Sequence, residues 1–492
     1  MSQGPRLRAR LAGIARQIGA LEAQIAVLRD EQEKVEEGLK TLVYPILTLP
    51  NQVTSEIFIQ YVDVGAKFME NPMTLTRVCW SWRKVAVCTP RLWIYFQRHS
   101  VKLLPLWLSR SGSLPFSLEM LSFGMKHRRH GELYRIISKY SSRCEMLDLI
   151  LDHPPPSSEL SRSFPRLKSF RFSAFCNKTT TIPVLHHAPS LRHVRLSGLS
   201  FENWQTALPW AQLTKLVINA DLDVCREVVR CTSSLEDLEI SADDTGSLLP
   251  STPVFLPRLQ RLSLPASPST MYGEGYCGFE ILRHLVLPGL QDLSIWLGET
   301  DEDELDVVEA LFERSQCYPR RLFLTVMHAD DELINQFFGG APLDFIQELT
   351  LCGPFSVEDG LNDLLALLST KRQIILPSLE HLVIDECDIA VDVTLLVSML
   401  ASRTRTRPQG VKKLESFRMF FCEEGNAPVG AHPHRIPDES TINNALQQLR
   451  RLASEGLEID MRGPKWFSRN IDSAMIREID QCIGPRSSNK WT

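Results

Sequence analysis

Histidines, cysteines and clustered acids are the groups from which a reaction centre or metal site would be built, and in this sequence they are scattered. His127-Arg128-Arg129-His130 is a compact basic cluster, suited to a phosphate or to a solvated helix or loop face. His186-His187 stand just before an extended stretch and suit a turn. Cys422, His432 and His434 lie in or beside 423–441, a stretch rich in Gly, Pro and polar residues. They lack the regular spacing of zinc ligands, and the stretch reads as a loop. Asp301, Glu302, Asp303, Glu304 and Asp306 lack the glycine and the defined ligand positions of a calcium loop. They suit a helix N-terminus, where the backbone dipole favours negative charge. The twelve cysteines form no C-x-x-C and read as buried thiols of a reducing compartment. A Walker-type glycine loop, a G-x-S-x-G elbow and a dinucleotide fingerprint are all missing. The expectation is a binding protein with no catalytic residue, no metal and no cofactor.

Composition narrows the partners. Lys and Arg number 54 against 59 Asp and Glu, a net charge of −5. That supplies no global basic field for nucleic acid. No run of about 18 consecutive apolar residues is present, so no membrane span is expected. The Arg–Leu alternation at the start lacks the apolar stretch of a secretory signal, and acids from Glu22 onward disfavour a transit peptide. A cytoplasmic or nuclear location fits these readings. The 492 residues predict two or three structural units.

The first unit is the most periodic. Leu7, Leu11, Ile14, Ile18, Leu21, Ile25, Leu28, Val35, Leu39 and Leu42 recur in steps of four and three, with Gln32 the one interruption. This heptad seam predicts a helix of about 54 Å over 1–44. Gly13, Gly19 and Gly38 weaken it by about 1 kcal/mol each relative to alanine, and Pro45 ends it. Its apolar stripe needs cover, from a second copy, from another protein, or from its own chain folded back.

Residues 45–98 change character. Leu49-Pro50 opens a helix with Val53, Ile57, Phe58 and Tyr61-Val62, and Asn71-Pro72 marks a break. Leu75, Val78, Cys79, Trp82, Val85 and Ala86 then follow at helical steps, before Pro90 and Leu92-Trp93. So many large apolar residues in about 50 positions exceed what two or three short helices bury alone. The order Leu49-Pro50, Ile57-Phe58, Leu75, Val78-Cys79-x-x-Trp82-Arg83-x-Val85-Ala86, Pro90-x-Leu92-Trp93 resembles the F-box motif. With the helix before it, the Tyr44-Pro45-Ile46-Leu47 junction and the repeats after it, the chain is similar to a group of fungal F-box proteins with C-terminal leucine-rich repeats. Gln52-Val53 and Trp80 depart from the commonest form of the motif. The resemblance implies docking to the Skp-type adaptor of a cullin–RING ubiquitin ligase. It makes Leu49, Pro50, Ile57, Phe58, Leu75, Val78, Cys79 and Trp82 the adaptor contacts. The residues alone leave an internal core as the alternative.

From about residue 115, within 99–463, a unit L-x-x-L-x-L recurs. It reads Leu167-Phe170-Phe172, Leu191-Val194-Leu196, Leu213-Leu216-Ile218, Leu235-Leu238-Ile240 and Leu259-Leu262-Leu264, with starts 24, 22, 22 and 24 residues apart. Looser copies follow: Leu282-Leu285-Leu287, Leu290-Leu293-Ile295, Ile346-Leu349-Leu351, Leu379-Leu382-Ile384 and Leu414-Phe417-Met419. Leu147-Leu149-Leu151 is an early one. The spacing matches leucine-rich repeats, in which stacked parallel strands share one core. Helices are expected over Glu299–Arg314 and Val357–Leu368, and a helix around Arg469–Ile483 within 464–492 as a cap.

Alternation aims the leucines inward and the residues between them outward. Ser169, Arg171, His193, Arg195, Lys215, Asn219, Asp237, Glu239, Arg261, Asp292, Trp296, Glu348, His381, Asp385, Arg418 and Phe420 should therefore line the exposed strand face. Of these, Arg171, Arg195, Lys215, Trp296 and Phe420 are the candidate contacts to a target protein. The expected fold class is α/β: a long helix, a small helical F-box unit, and a leucine-rich repeat solenoid of parallel strands. The expected partners are a Skp-type adaptor with its cullin complex, an unidentified target, and a second copy bound through the first helix.

Overall fold

The computed structural model describes residues 3–41, 49–64, 72–97, 100–121, 127–151, 163–174, 182–183, 185, 187–198, 204–243, 252–265, 278–297, 302–326, 337–338, 343–352, 360–369, 374–387, 392–421 and 439–462. The cap at 464–492, the Cys422–His434 stretch and the Tyr44–Leu47 junction lie outside them. The chain divides into two compact units, Met1–Trp93 and Ile94–Thr492.

The first unit begins with a 39-residue helix, α1 (Gln3–Thr41). Its described seam residues Leu7, Leu11, Ile14, Ile18, Leu21, Ile25, Leu28 and Val35 are 47–72% exposed. The stretch Arg10–Gly38 is also long and apolar enough to cross a membrane, by length and composition only.

Three short helices follow: α2 (Asn51–Val64), α3 (Pro72–Val78) and α4 (Trp80–Val87). They enclose a small core of Phe58, Leu75, Val85, Ala86, Leu92 and Trp93. The Phe58 and Trp82 rings lie 4.9 Å apart. Trp93 Nε1 donates to the Ala86 carbonyl at 2.9 Å, and Arg83 Nε donates to that of Thr76 at 2.7 Å. Cys79 breaks the helix between α3 and α4, and its Sγ accepts from the Trp82 amide.

The second unit is α/β. Fourteen parallel strands, from Tyr95–Gln97 to Glu458–Arg462, pair in chain order. Tyr95–Gln97 falls inside the segment assigned by sequence to the F-box, yet pairs with Phe116–Leu121 as the first strand of this sheet.

Register explains the order. Phe96, Leu118, Leu147, Phe170, Val194, Leu216, Leu238, Leu262, Leu293, Leu322, Leu349, Leu382, Phe417 and Ile459 are partners in succession. A second apolar row starts at Met120 and runs through Leu149, Phe172, Leu196 and Ile218 to Ile240. It resumes from Leu264 to Met461. The strands between the two ends thus bury the same two positions against their neighbours, while Ile459 and Met461 of the last strand are half-buried. The approach to each strand is equally regular: the amides of Arg192 and His193 share the Lys168 carbonyl, and those of Glu380 and His381 share that of Gln347.

Leu282-Leu285-Leu287 does not cross this sheet. Leu285–Val286 pairs with Val254–Phe255 in a separate two-stranded sheet. Only a few residues separate it from the next strand approach at Leu290, too few for a return crossing. Helices Glu302–Ser315 and Gly360–Leu368 match the expected ones within a few residues.

Guanidiniums, one of them buried, tie the irregular returns together. Arg403 is fully buried and donates to the carbonyls of Leu368, Ile375 and Leu376 at 2.7, 2.6 and 3.0 Å. Burial lowers its pKa to about 10, so it stays charged at neutral pH. Arg143 bonds the carbonyls of Leu108 and Leu114 in the same way, and Arg314 those of Leu282 and Leu285. Arg403→Met keeps the side chain's length but removes all three bonds, leaving the Leu376 carbonyl only the Leu379 amide. It should lower unfolding free energy by about 3–5 kcal/mol, read as the midpoint of urea unfolding.

Candidate binding surfaces

In the first unit, α2 carries two stripes. Thr54 and Phe58 face the core, with Val62 half-buried beyond them. Val53, Ile57 and Tyr61 are exposed at steps of four, and Leu49 extends the same spacing before the helix. An apolar side chain at each of these positions forms one continuous edge. Across the unit, Val78 and Trp80 are exposed on either side of Cys79, Trp80 by 72%. Lys84 Nζ sits 5.4 Å from the Trp80 ring centroid.

Of the eight residues expected at the adaptor, Leu49, Pro50, Ile57 and Val78 are exposed, and Cys79 and Trp82 are partly so. Phe58 and Leu75 are 1% and 4% exposed, so they belong to the unit's own core. Adjacent helical residues lie about 100° apart, and the Ile57-Phe58 pair straddles the boundary between the two faces. Val53, Tyr61 and Trp80 are exposed apolar groups not counted among the contacts. The step of four from Leu49 was the signal for the first two.

In the second unit, the outward strand positions form a polar face. Asp237 takes Lys215 at 3.0 Å and Arg261 at 3.1 Å. Asp292 holds Arg321 through two bonds of 2.5 and 2.6 Å. His381 Nδ1 lies 2.9 Å from the Ser416 hydroxyl. Arg171 meets Asp148 at 3.1 Å, and Arg195 approaches Glu239 at 4.0 Å. Arg171, Arg195 and Lys215 lie on successive strands. Trp296 and Phe420 are half-buried, and their strands lie five and nine places beyond that of Arg171. At about 4.8 Å per strand, Trp296 is roughly 24 Å from Arg171 and about 14 Å from Lys215. The five candidates therefore do not form one site.

Asp148 escaped the sequence reading because it lies in the early, irregular pattern Leu147-Leu149-Leu151. It is the most buried of the acids on the polar face, and its Oδ1 has no hydrogen-bond partner among the described residues. Burial raises its carboxyl to about 6, against the opposing pull of Arg171; Glu119 raises it further and Arg195 lowers it.

Among the described residues no three His, Cys, Asp or Glu side chains gather as a metal site. His130 of the basic cluster is buried beside Tyr134, and His187 bridges to Ser163 at an isolated strand contact. The acidic run opens the helix Glu302–Ser315. Burial pushes the Cys144 thiol up, and that of Cys317 to about 11, so neither is an activated nucleophile. The sequence matches no protein-family model, and no curated protein is similar to it at a significant level.

The Asp148 environment gives a pH test. A carboxyl raised from 3.8 to about 6 on folding binds its proton more tightly in the folded chain. Its ionisation therefore subtracts stability as pH rises through that window, and the cost is complete above about pH 6. Asp148→Asn should raise stability by on the order of 2 kcal/mol at pH 7.5. Thermal melts of the two proteins should converge at pH 4.

Proposed function

We propose that this chain is a substrate-recognition adaptor of a Skp–cullin–F-box type ubiquitin ligase. The helices α2 to α4 act as an F-box that docks on the Skp-type adaptor. The fourteen strands act as a leucine-rich repeat solenoid whose polar face holds a target protein. Rate in such an assembly comes from holding target and transfer machinery together, so the chain needs no catalytic residue or cofactor. The setting is cytoplasmic or nuclear.

The observation that supports this reading best is the exposed stripe Leu49, Val53, Ile57 and Tyr61 on a unit that already has a closed core. A side chain of this size gains about 1.5–3 kcal/mol on full burial, and half of that area is available at each position. Val53→Asp with Ile57→Asp leaves Phe58, Leu75 and Trp93 untouched, so folding is retained. The double variant should lose about 100-fold in affinity for a purified Skp-type adaptor, roughly 3 kcal/mol, measured by interferometry with the full chain. Unchanged affinity, or none in the parent chain, would sink the assignment.

A second reading rests on α1. Its seam places Leu11, Ile18 and Ile25 at one heptad position and Ile14, Leu21 and Leu28 at the other, a pattern close to that of two-stranded coiled coils. In this reading the chain is a self-associating repeat scaffold with no ligase role. Ile18→Glu with Ile25→Glu should then halve the mass of the full chain in light scattering. A mass equal to one chain before substitution would dismiss it.

A further inference from the structure

Most of the polar face alternates in charge. Lys215, Asp237 and Arg261 are register partners in turn, as are Asp292 and Arg321. Arg171 and Arg195 break this order, because they are register partners of each other. Their strands lie about 4.8 Å apart, and like charges so placed repel. Each guanidinium turns to the acid on its far side. Arg171 reaches back to Asp148, and Arg195 reaches across the strand carrying Val217 to Glu239.

The surroundings of the pair leave room. On the same face Ser173 and Ser197 are register partners on one flank, and Ser169 and His193 on the other. Apart from the His193 ring, the side chains of these two strands that flank the arginines on that face are serines. Both guanidinium side chains keep almost half of their exposure, 44% and 45%.

The geometry points to a binding site for an anionic side chain of a peptide partner, a carboxylate or a phosphate ester, seated between Arg171 and Arg195 with Ser173, Ser197 and His193 beside it. The inference rests on the reading of this face as the target surface and names the chemistry it selects. A guanidinium offers a planar fork of donors that matches two oxygens of one anion. Two forks swung back from those acids onto the gap suit a doubly charged group, and the guest cancels the repulsion between them. Asp148 and Glu239 are the internal competitors, each holding one arginine away until the guest arrives. Glu119, the register partner of Asp148 on its other side, adds negative charge that keeps stray anions from the neighbouring strands.

The test passes the full chain over three immobilised peptide libraries with randomised flanks and a fixed central phosphoserine, glutamate or serine. Retention should be about tenfold greater on the phosphoserine or the glutamate library than on the serine one, as expected for about 1.4 kcal/mol of charge-assisted bonding. The better of the two identifies the source of the anion. Arg171→Ala with Arg195→Ala should abolish the preference while the thermal melt stays cooperative. Asp148→Asn, which releases Arg171, should strengthen it. Equal retention on all three libraries, or a preference that survives the double substitution, overturns the site. Adaptor affinity is read separately through Val53 and Ile57. Loss of peptide preference with adaptor binding intact therefore rejects this site alone, and the converse rejects the ligase reading alone.

Discussion

A parallel strand in this sheet can hide its apolar side chains only where its neighbours place theirs at the same register position. The consequence is the pair of apolar rows, one running from Phe96 to Ile459 and the other from Met120 to Met461. A polar residue at any rung would leave a gap in the shared core, and a one-residue slip would turn a whole strand inside out. Short-range pairing also means that stability is a sum of neighbour terms, with no single centre. What varies is the chain between strands, and there the backbone has no ladder to satisfy its carbonyls. Arg143, Arg314 and Arg403 supply those bonds, each reaching about 30 residues back. A guanidinium suits the task because five donors in one plane can serve several carbonyls that no regular element collects.

The same register that fixes the core also fixes the polar face. Outward residues of adjacent strands are held about 4.8 Å apart, so their charges must be settled pairwise. Asp237 between Lys215 and Arg261, and Asp292 with Arg321, settle them by alternation. Such half-exposed pairs contribute little stability, on the order of 0–1 kcal/mol each. They matter more for what they withhold: a neutralised stretch offers nothing to a charged partner. Selectivity therefore belongs where alternation fails. Asp148 sits at such a place, its ionisation opposed by burial and by Glu119.

Much of this was legible in the sequence, because a strand that buries two alternate leucines writes them at fixed spacing. Leu167-Phe170-Phe172 through Leu259-Leu262-Leu264 lie where L-x-x-L-x-L puts them. The pattern failed where another residue does the leucine's work. Arg321–Val326 is a full strand of the sheet, but Pro319 stands at its first apolar position, and no copy was read there. Glu458–Arg462 was missed because Leu457 precedes Ile459 by two residues instead of three. Gly456, at φ +93°, ends the helix Glu439–Ser454 and turns the chain sharply into that strand. That helix was missed in turn, since its first residues were read with the polar loop before it. The error at Leu282-Leu285-Leu287 was the reverse: a correct spacing with too little chain to reach the sheet. At Phe58 and Leu75, composition announced an apolar surface without telling inward from outward. That distinction depends on the crossing of three short helices, which residue types do not encode.

The two units answer one problem in opposite ways. Each strand of the sheet is too small to cover its own apolar edge, and it takes cover from the next strand of the same chain. The helices α2 to α4 are also small, but no ladder of like strands runs through them. Phe58, Leu75 and Trp93 use the available interior, leaving Val53, Ile57, Tyr61, Val78 and Trp80 at the surface. An exposed apolar stripe beside a finished core is not a folding remnant, because polar residues at those positions would cost the core nothing. Its cost lies in solubility and misassociation, and retaining such a stripe gains stability only in a bound state. That reasoning carries most weight at Val53 and Ile57, where the neighbouring turns of the same helix already hold Thr54 and Phe58 inward. It is the physical ground for placing a partner on this helix.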